Sequence, residues 1–211
     1  MPSYRTPRPL VVKLGGSLAD TPLLTSWLEA LDRYPDPLVI VPGGGGFADA
    51  VRTMQTKMRF DDDAAHHIAL VAMEQYALAL AALWPRLAVT TTPAAIGRAL
   101  RTGRVACWAP AQMALASPLP KSWDVTSDTL AAWLAAQLRA ERLLLIKSAG
   151  IDADAGLTLT DLAQAGVVDR LFPHFAAASG ADIFIAGPAA LPEAPTEFLR
   201  GQIPGLHVRR V

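Results

Sequence analysis

The sequence is poor in cysteine, has no excess of either charge, and has no uninterrupted apolar run as long as a membrane span. Its one cysteine, Cys107, excludes an intrachain disulfide framework and a CxxC metal or redox site. Lysine plus arginine and aspartate plus glutamate both total 19, so the formal net charge is zero. Overall charge therefore gives no argument for nucleic acid or an anionic membrane, although a local basic pocket stays open. The most membrane-like stretch, residues 68–84, carries Glu74 and Gln75 at its middle. It falls short of the ~20 residues of a typical span and is read as a buried helix. The N-terminal residues hold no apolar stretch of signal-peptide length, so a cytoplasmic protein with no membrane association is expected. No glycine loop continues into GK[ST], and none has the GxGxxG spacing, which argues against Walker A and dinucleotide sites. Neither a repeat at solenoid periods nor a low-complexity tail is evident.

What is present is apolar. Of 211 residues, 52% are hydrophobic, enough to bury a large core in a single domain. Short apolar runs alternate with helical patterns. The strand candidates are Leu10–Lys13, Leu38–Val41, Leu87–Thr90, Val105–Trp108, Leu143–Lys147, Ile183–Ala186 and Leu206–Val208. Helices are predicted over 22–33, 46–58, 64–84, 94–101, 128–140 and 174–179. Thr21, Asp63, and Thr126 or Ser127 are the candidate caps. This alternation predicts an α/β protein with a mainly parallel sheet covered by helices on both faces. The proline-bearing stretch 109–124 divides residues 1–211 into an N-terminal part, about 1–120, and a C-terminal part, about 121–211. The tryptophans at 27, 84, 108, 123 and 133 are read as core or interface residues.

Two strand ends carry glycine. The first predicted strand closes in "KLGGS" (13–17), the second in "VPGGGGFADAV" (41–51). In a parallel sheet both loops leave at the carboxyl edge, where ligands bind. Each is expected to lead into a helix, and together they offer two stacks of backbone N–H groups suited to phosphate. Alone, "GGS" is an ordinary tight turn. Four consecutive glycines say more, because their conformational freedom is costly to restrain. Lys13 at the first strand end can place positive charge on a phosphoryl group in transit, and Ser17 adds a hydroxyl donor. In the second half, "RLLLIKSAGID" (142–152) ends a strongly apolar strand at Lys147. Lys147 alone could equally be a snorkelling strand-end lysine. Asp128 alone would be a first-turn aspartate of its helix. Taken together, Asp128 can stand between the two lysines and limit their repulsion.

In this order "KLGGS" (13–17), "GGGG" (43–46), "TSD" (126–128) with the alanine-rich helix behind it, and "LIKSAGID" (145–152) resemble the amino acid kinase family over most of the chain. The resemblance implies a three-layer αβα sandwich. It implies an N-terminal part for the phosphoryl acceptor and a C-terminal part for ATP. By resemblance, Lys13 and Lys147 stabilise the transferring phosphoryl group and Asp128 organises them. Gly15, Gly16, Ser17, Ser148, Gly150 and Asp152 lie on the ATP side. Gly43, Gly44, Gly45 and Gly46, with Thr126, face the acceptor and the group in transit. Mg²⁺ would be held by phosphates and water. Assembly as a homodimer or larger homo-oligomer is implied. Two departures stand out: Ala149 puts no polar side chain in "KSAGID", and "GLHV" (205–208) lacks the family's Gly-Thr pair before the last strand.

The length and the helix "AAHHIALVAMEQYA" (64–77) are similar to those of small family members that make methanofuran precursors. That implies a small phosphomonoester as acceptor and a diphosphate as product. Isopentenyl phosphate, a nucleoside monophosphate, or a carboxylate yielding an acyl phosphate stay open. So does a module that binds nucleotide or oxyanion without turnover. Ala48 and Asp49 stand where isopentenyl phosphate kinases usually carry a histidine, which weakens that acceptor. Asp63, His67, Leu70 and Glu74 recur at helical spacing, forming either a solvated stripe or an acceptor site. In the second case the carboxylates would meet an ammonium group and His67 a phosphate. Of Arg52, Lys57 and Arg59, on one solvated helix face, Arg52 is the candidate for the acceptor's phosphate. "DDDAAHH" (61–67) lacks the HExxH arrangement, and no metal ligand is assigned.

Overall fold

A computed structural model describes residues 8–151 and 158–208. The strands are β1 (Leu10–Leu14), β2 (Leu38–Pro42), β3 (Leu87–Thr90), β4 (Val105–Trp108), β5 (Arg142–Ile146), β6 (Asp182–Ala186) and β7 (Leu206–Val208). They form one sheet in the order β3-β4-β2-β1-β5-β6-β7. All pairs are parallel except β6–β7, so the expected mainly parallel αβα sandwich is what the chain adopts. β1 and β2 are buried at every position, as strands covered on both faces must be.

The helices are α1 (Leu23–Leu31), α2 (Gly45–Met58), α3 (Asp62–Leu83), α4 (Pro93–Arg101), α5 (Ala111–Leu115), α6 (Ser127–Leu138), α7 (Leu159–Gln164), α8 (Phe172–Ser179) and α9 (Ala194–Leu199). Strand alternation divides the core. Val11, Val39, Leu143 and Leu145 face α4, α6 and α8. Leu10, Val12, Ile40 and Leu144 face α1 and α9. Lys13 has the parity of Val11, so it points to the face that α6 covers. β1 sits between β2 and β5, with Lys13 in register with Val41 and Leu145. The two glycine loops and the start of the second lysine loop therefore emerge side by side.

Several local expectations change. Thr21 does not cap α1: its hydroxyl donates to the Leu18 carbonyl, and Pro22 takes the cap position. Asp61, not Asp63, caps α3 by accepting from the Ala64 amide at 2.8 Å. Asp63 pairs instead with Lys121. Thr126 does cap α6, accepting from the Asp128 amide. Helices α5, α7 and α9 were not predicted, because five or six residues are too few to display a 3.6-residue period. α3 is long and apolar enough, by length and composition, to cross a membrane. It buries one face through Leu70, Met73, Tyr76 and Leu80 and leaves Ile68, Val71 and Leu78 outward, so the helix read as buried is only half so.

Candidate functional site

Three strand ends build the site. The Gly15 amide donates to the Ile146 carbonyl, the Gly43 amide to Leu14, and the Lys147 amide to Ala186, each at 2.9 Å. The first two bonds pin the ends of β1, β2 and β5 to one another, and the third ties the end of β5 to β6. Glycine is required where the first two loops meet. A Cβ on Gly16 would overlap the Gly45 amide nitrogen, and one on Gly43 would overlap the Gly16 nitrogen. Gly45 also has φ +52, a left-handed conformation that favours glycine. The second loop enters α2 directly, with no side-chain cap on the helix N-terminus. The first does not enter a helix as expected. It passes through a 3₁₀ turn, Gly16–Asp20, before α1.

Beneath these loops Lys13, Asp128 and Lys147 meet. Lys13 Nζ lies 2.9 Å from Asp128 Oδ1, and Lys147 Nζ lies 2.6 Å from Oδ2. The Lys147 contact is an aligned hydrogen bond, whereas Oδ1 receives the Lys13 charge without one. Asp128 is the second residue of α6, where the helix dipole favours an anion. Burial pushes its carboxyl upward, but the two lysines outweigh burial and hold it below the ordinary aspartate value. Burial, then the Lys13 charge, lowers Lys147 to about 8, against the opposing pull of Asp128. The Lys147 side chain is 15% exposed and that of Lys13 7%, so both lysines are largely buried.

A cavity of about 250 Å³ opens beside the glycine loops; none of the trio lines it, although Ser127, next to Asp128, does. Its walls come from the glycine loops (Gly16, Ser17, Gly44, Gly45), from α2 (Ala48, Asp49, Arg52), from α3 (His66, Ala69, Leu70, Met73), and from Trp123, Val125, Thr126, Ser127 and Leu130. Asp20 adds a carboxylate. Arg52 stacks 4.4 Å over the Trp123 ring and pairs with Asp49 at 2.9 Å. Ser17 and Ser148, 131 positions apart, share a 2.6 Å hydrogen bond that ties the first loop to the one after β5.

Of the residues singled out in sequence, Gly16, Ser17, Gly44, Gly45, Arg52 and Thr126 line the cavity. Gly15 and Gly43 shape the strand ends behind it. Gly46 and Gly150 lie outside the wall with open space where a side chain would be, and Asp152 lies outside the described residues. His67 is exposed and not in the wall. His66 is there instead, because the inward stripe of α3 runs through Leu70 and Met73, four and seven residues after it. Burial holds His66 below the ordinary histidine value. Glu74 accepts from the Ala111 amide and so caps α5. Trp123, read as core or interface, is a wall residue.

Sequence reasoning missed Asp169. Its Oδ2 accepts from the Thr126 amide (3.1 Å), the Thr126 hydroxyl (2.7 Å) and the Thr129 amide (2.9 Å). Its Oδ1 accepts from the Thr129 hydroxyl (2.5 Å) and from the Leu171 and Phe172 amides. No local pattern around "VVDRLF" marks it. Among the described residues no group of three or more His, Cys, Asp or Glu side chains is placed to hold a metal.

The amino acid kinase family model matches residues 8–154. [5-(Aminomethyl)furan-3-yl]methyl phosphate kinase of Methanocaldococcus jannaschii is 26% identical over 138 residues. That match covers 64% of this chain and 63% of the relative, so under two thirds of the relative's length is spanned. Among solved structures, uridylate kinase from Archaeoglobus fulgidus superposes with TM-score 0.70 at 17% identity, over 95% of this chain and 99% of that one. An isopentenyl phosphate kinase superposes with TM-score 0.57 at 16% identity, over 93% and 98%. These structural likenesses are likenesses of fold.

Proposed function

The chain belongs to the amino acid kinase family, and from that premise we propose that it transfers the γ-phosphoryl group of ATP to a small phosphomonoester, giving a diphosphate. The observation that carries this is the Lys13–Asp128–Lys147 trio at the strand ends whose two packed glycine loops line a small cavity. An acceptor phosphate oxygen attacks the γ-phosphorus, the bond to the β,γ-bridging oxygen breaks, and ADP leaves with that oxygen. The attacking oxygen is already anionic at neutral pH, so no general base is needed. The requirement is charge neutralisation and alignment. Lys13 and Lys147 provide the charge from rigid strand ends, and Asp128 keeps two adjacent ammonium groups tolerable. ATP enters as its Mg²⁺ complex, the ion held by phosphate oxygens and water. Gly15, Gly16, Ser17, Ser148 and Gly150 are the described candidates for the ATP side, and Asp152 lies outside the described residues.

The cavity suits [5-(aminomethyl)furan-3-yl]methyl phosphate as acceptor, the substrate named for the Methanocaldococcus relative. Leu70, Met73, Val125 and Leu130 offer an apolar wall to a ring, Arg52 a cation to a phosphate, and Asp20 and Asp49 carboxylates to an ammonium group. The outward apolar residues of α3 support a homo-oligomer.

The test is ADP release by the purified protein with Mg-ATP, with and without that phosphomonoester, beside the Lys13→Ala variant. Acceptor-dependent release lost in the variant, with a diphosphate product, is expected. Release with isopentenyl phosphate, a nucleoside monophosphate or a carboxylate instead would replace the acceptor, hydroxylamine trapping any acyl phosphate. ATP binding without transfer to any of them would overturn the reaction in favour of a binding module.

A further inference from the structure

We infer that Asp169 is a positioning residue for phosphoryl transfer, its carboxylate holding Asp128 between the two lysines by clamping the residues on either side of it. This rests on the function proposed above. Thr126 and Thr129 flank Asp128 and donate to Asp169 through both their amides and their hydroxyls. The same carboxylate accepts the Leu171 and Phe172 amides at the start of α8. Six donors saturate the roughly four lone-pair sites of a carboxylate. One buttress therefore fixes the first turn of α6 against α8, and with it the direction in which Asp128 leaves the helix. A catalytic group held by a supporting layer of this kind keeps its geometry through the reaction.

Asp169 also adds charge. The charged groups that act on Lys147 are Lys13 from β1, Asp128 from α6 and, with the smallest effect, Asp169, whose carboxylate lies behind Thr126 and Thr129. Of these only the two aspartates favour its protonated form. The isosteric Asp169→Asn change removes one of them and several acceptor sites together.

The experiment compares wild type with Asp169→Asn and Thr129→Val, each checked for a cooperative melt above the assay temperature. In Asp169→Asn, kcat is expected to fall roughly tenfold to a hundredfold, with the ATP and acceptor KM values little changed. The alkaline limb of the rate profile moves to lower pH. In Thr129→Val, which keeps the carboxylate charge, kcat falls by less and the limb stays in place. The Asp128→Asn/Asp169→Asn double variant loses less than the two single losses combined, since Asp169 acts largely through Asp128. A readout independent of turnover is the pH dependence of Lys147 acylation, followed by mass spectrometry, whose midpoint drops in Asp169→Asn. If wild type phosphorylates no acceptor, the proposed function fails while the acylation midpoint still reports on Asp169. Unchanged kcat in the folded variants, or an unmoved Lys147 midpoint in Asp169→Asn, would overturn the inference.

Discussion

The Lys147 ammonium stands 2.6 Å from Asp128 Oδ2 at the end of β5, and burial lowers its pKa to about 8. A transferring phosphoryl group needs the protonated form. Activity should therefore be full below that value and decline as pH rises through about 8. The stability contribution of Lys147 moves the other way. The unfolded chain holds this proton up to its ordinary value of 10.5, so between about 8 and 10.5 the unfolded state binds more protons and folding gains. A kcat profile run beside thermal melts over this window separates the two effects. Unfolding in step with the loss of rate would contradict the assignment.

Neutralising Asp128 leaves two buried lysines without their shared counter-ion and lowers Lys147 further from about 8. Asp128→Asn should lower stability at pH 7 by about 3–5 kcal/mol. Adding Lys13→Met to the same chain should recover part of that loss, because it removes one unmatched charge. Urea unfolding of the single and double variants measures both. In the wild type the carboxyl sits below its ordinary 3.8, so its contribution is present above that pH and fades as pH falls further.

Gly16 and Gly46 separate loop packing from loop flexibility. A methyl on Gly16 meets backbone of the second glycine loop, which cannot swing aside. Gly16→Ala is expected to cost about 1–3 kcal/mol, with a loss of turnover. Gly46→Ala meets nothing within 4 Å and lies in α2, so its melting temperature should hold or rise. Equal effects from the two would mean the loops do not pack as described.

His66 and His67 are adjacent in sequence and opposite in setting. His66→Ala should raise the acceptor KM, because the buried ring lines the cavity. His67→Ala should leave kcat and KM unchanged, because its ring faces solvent. Steady-state kinetics with the acceptor varied distinguishes them, and a reversed result would mean that α3 is rotated about its axis.

Much of this arrangement was legible before any coordinates. The strands β3, β4 and β7 have the bounds that their apolar runs suggest, β1, β2 and β6 differ by a residue at one end, and β5 is displaced by one residue at both ends. Lys147 lies one residue past β5 rather than in it. The trio was visible because each member sits at a locally marked place: a lysine closing an apolar run, or an aspartate just after the capping Thr126. The cavity takes His66 and leaves His67 exposed, a difference of phase. A charged stripe and an inward stripe can differ by a single residue, about 100° of helix rotation, and an apolar helix such as α3 has few polar markers to choose between them.

By itself the sequence determined the strands and the longer helices, the edge of the sheet where they converge, and the residue types that meet there. Period, capping and glycine punctuation act over a few residues and can be read in one dimension. Only the tertiary structure decided that Ser17 meets Ser148 across 131 positions, that Gly16 packs on Gly45, and that Asp169 holds the turn around Asp128 from 40 residues beyond Thr129. Those contacts carry no periodic signal, because they arise where separately formed elements are packed against one sheet.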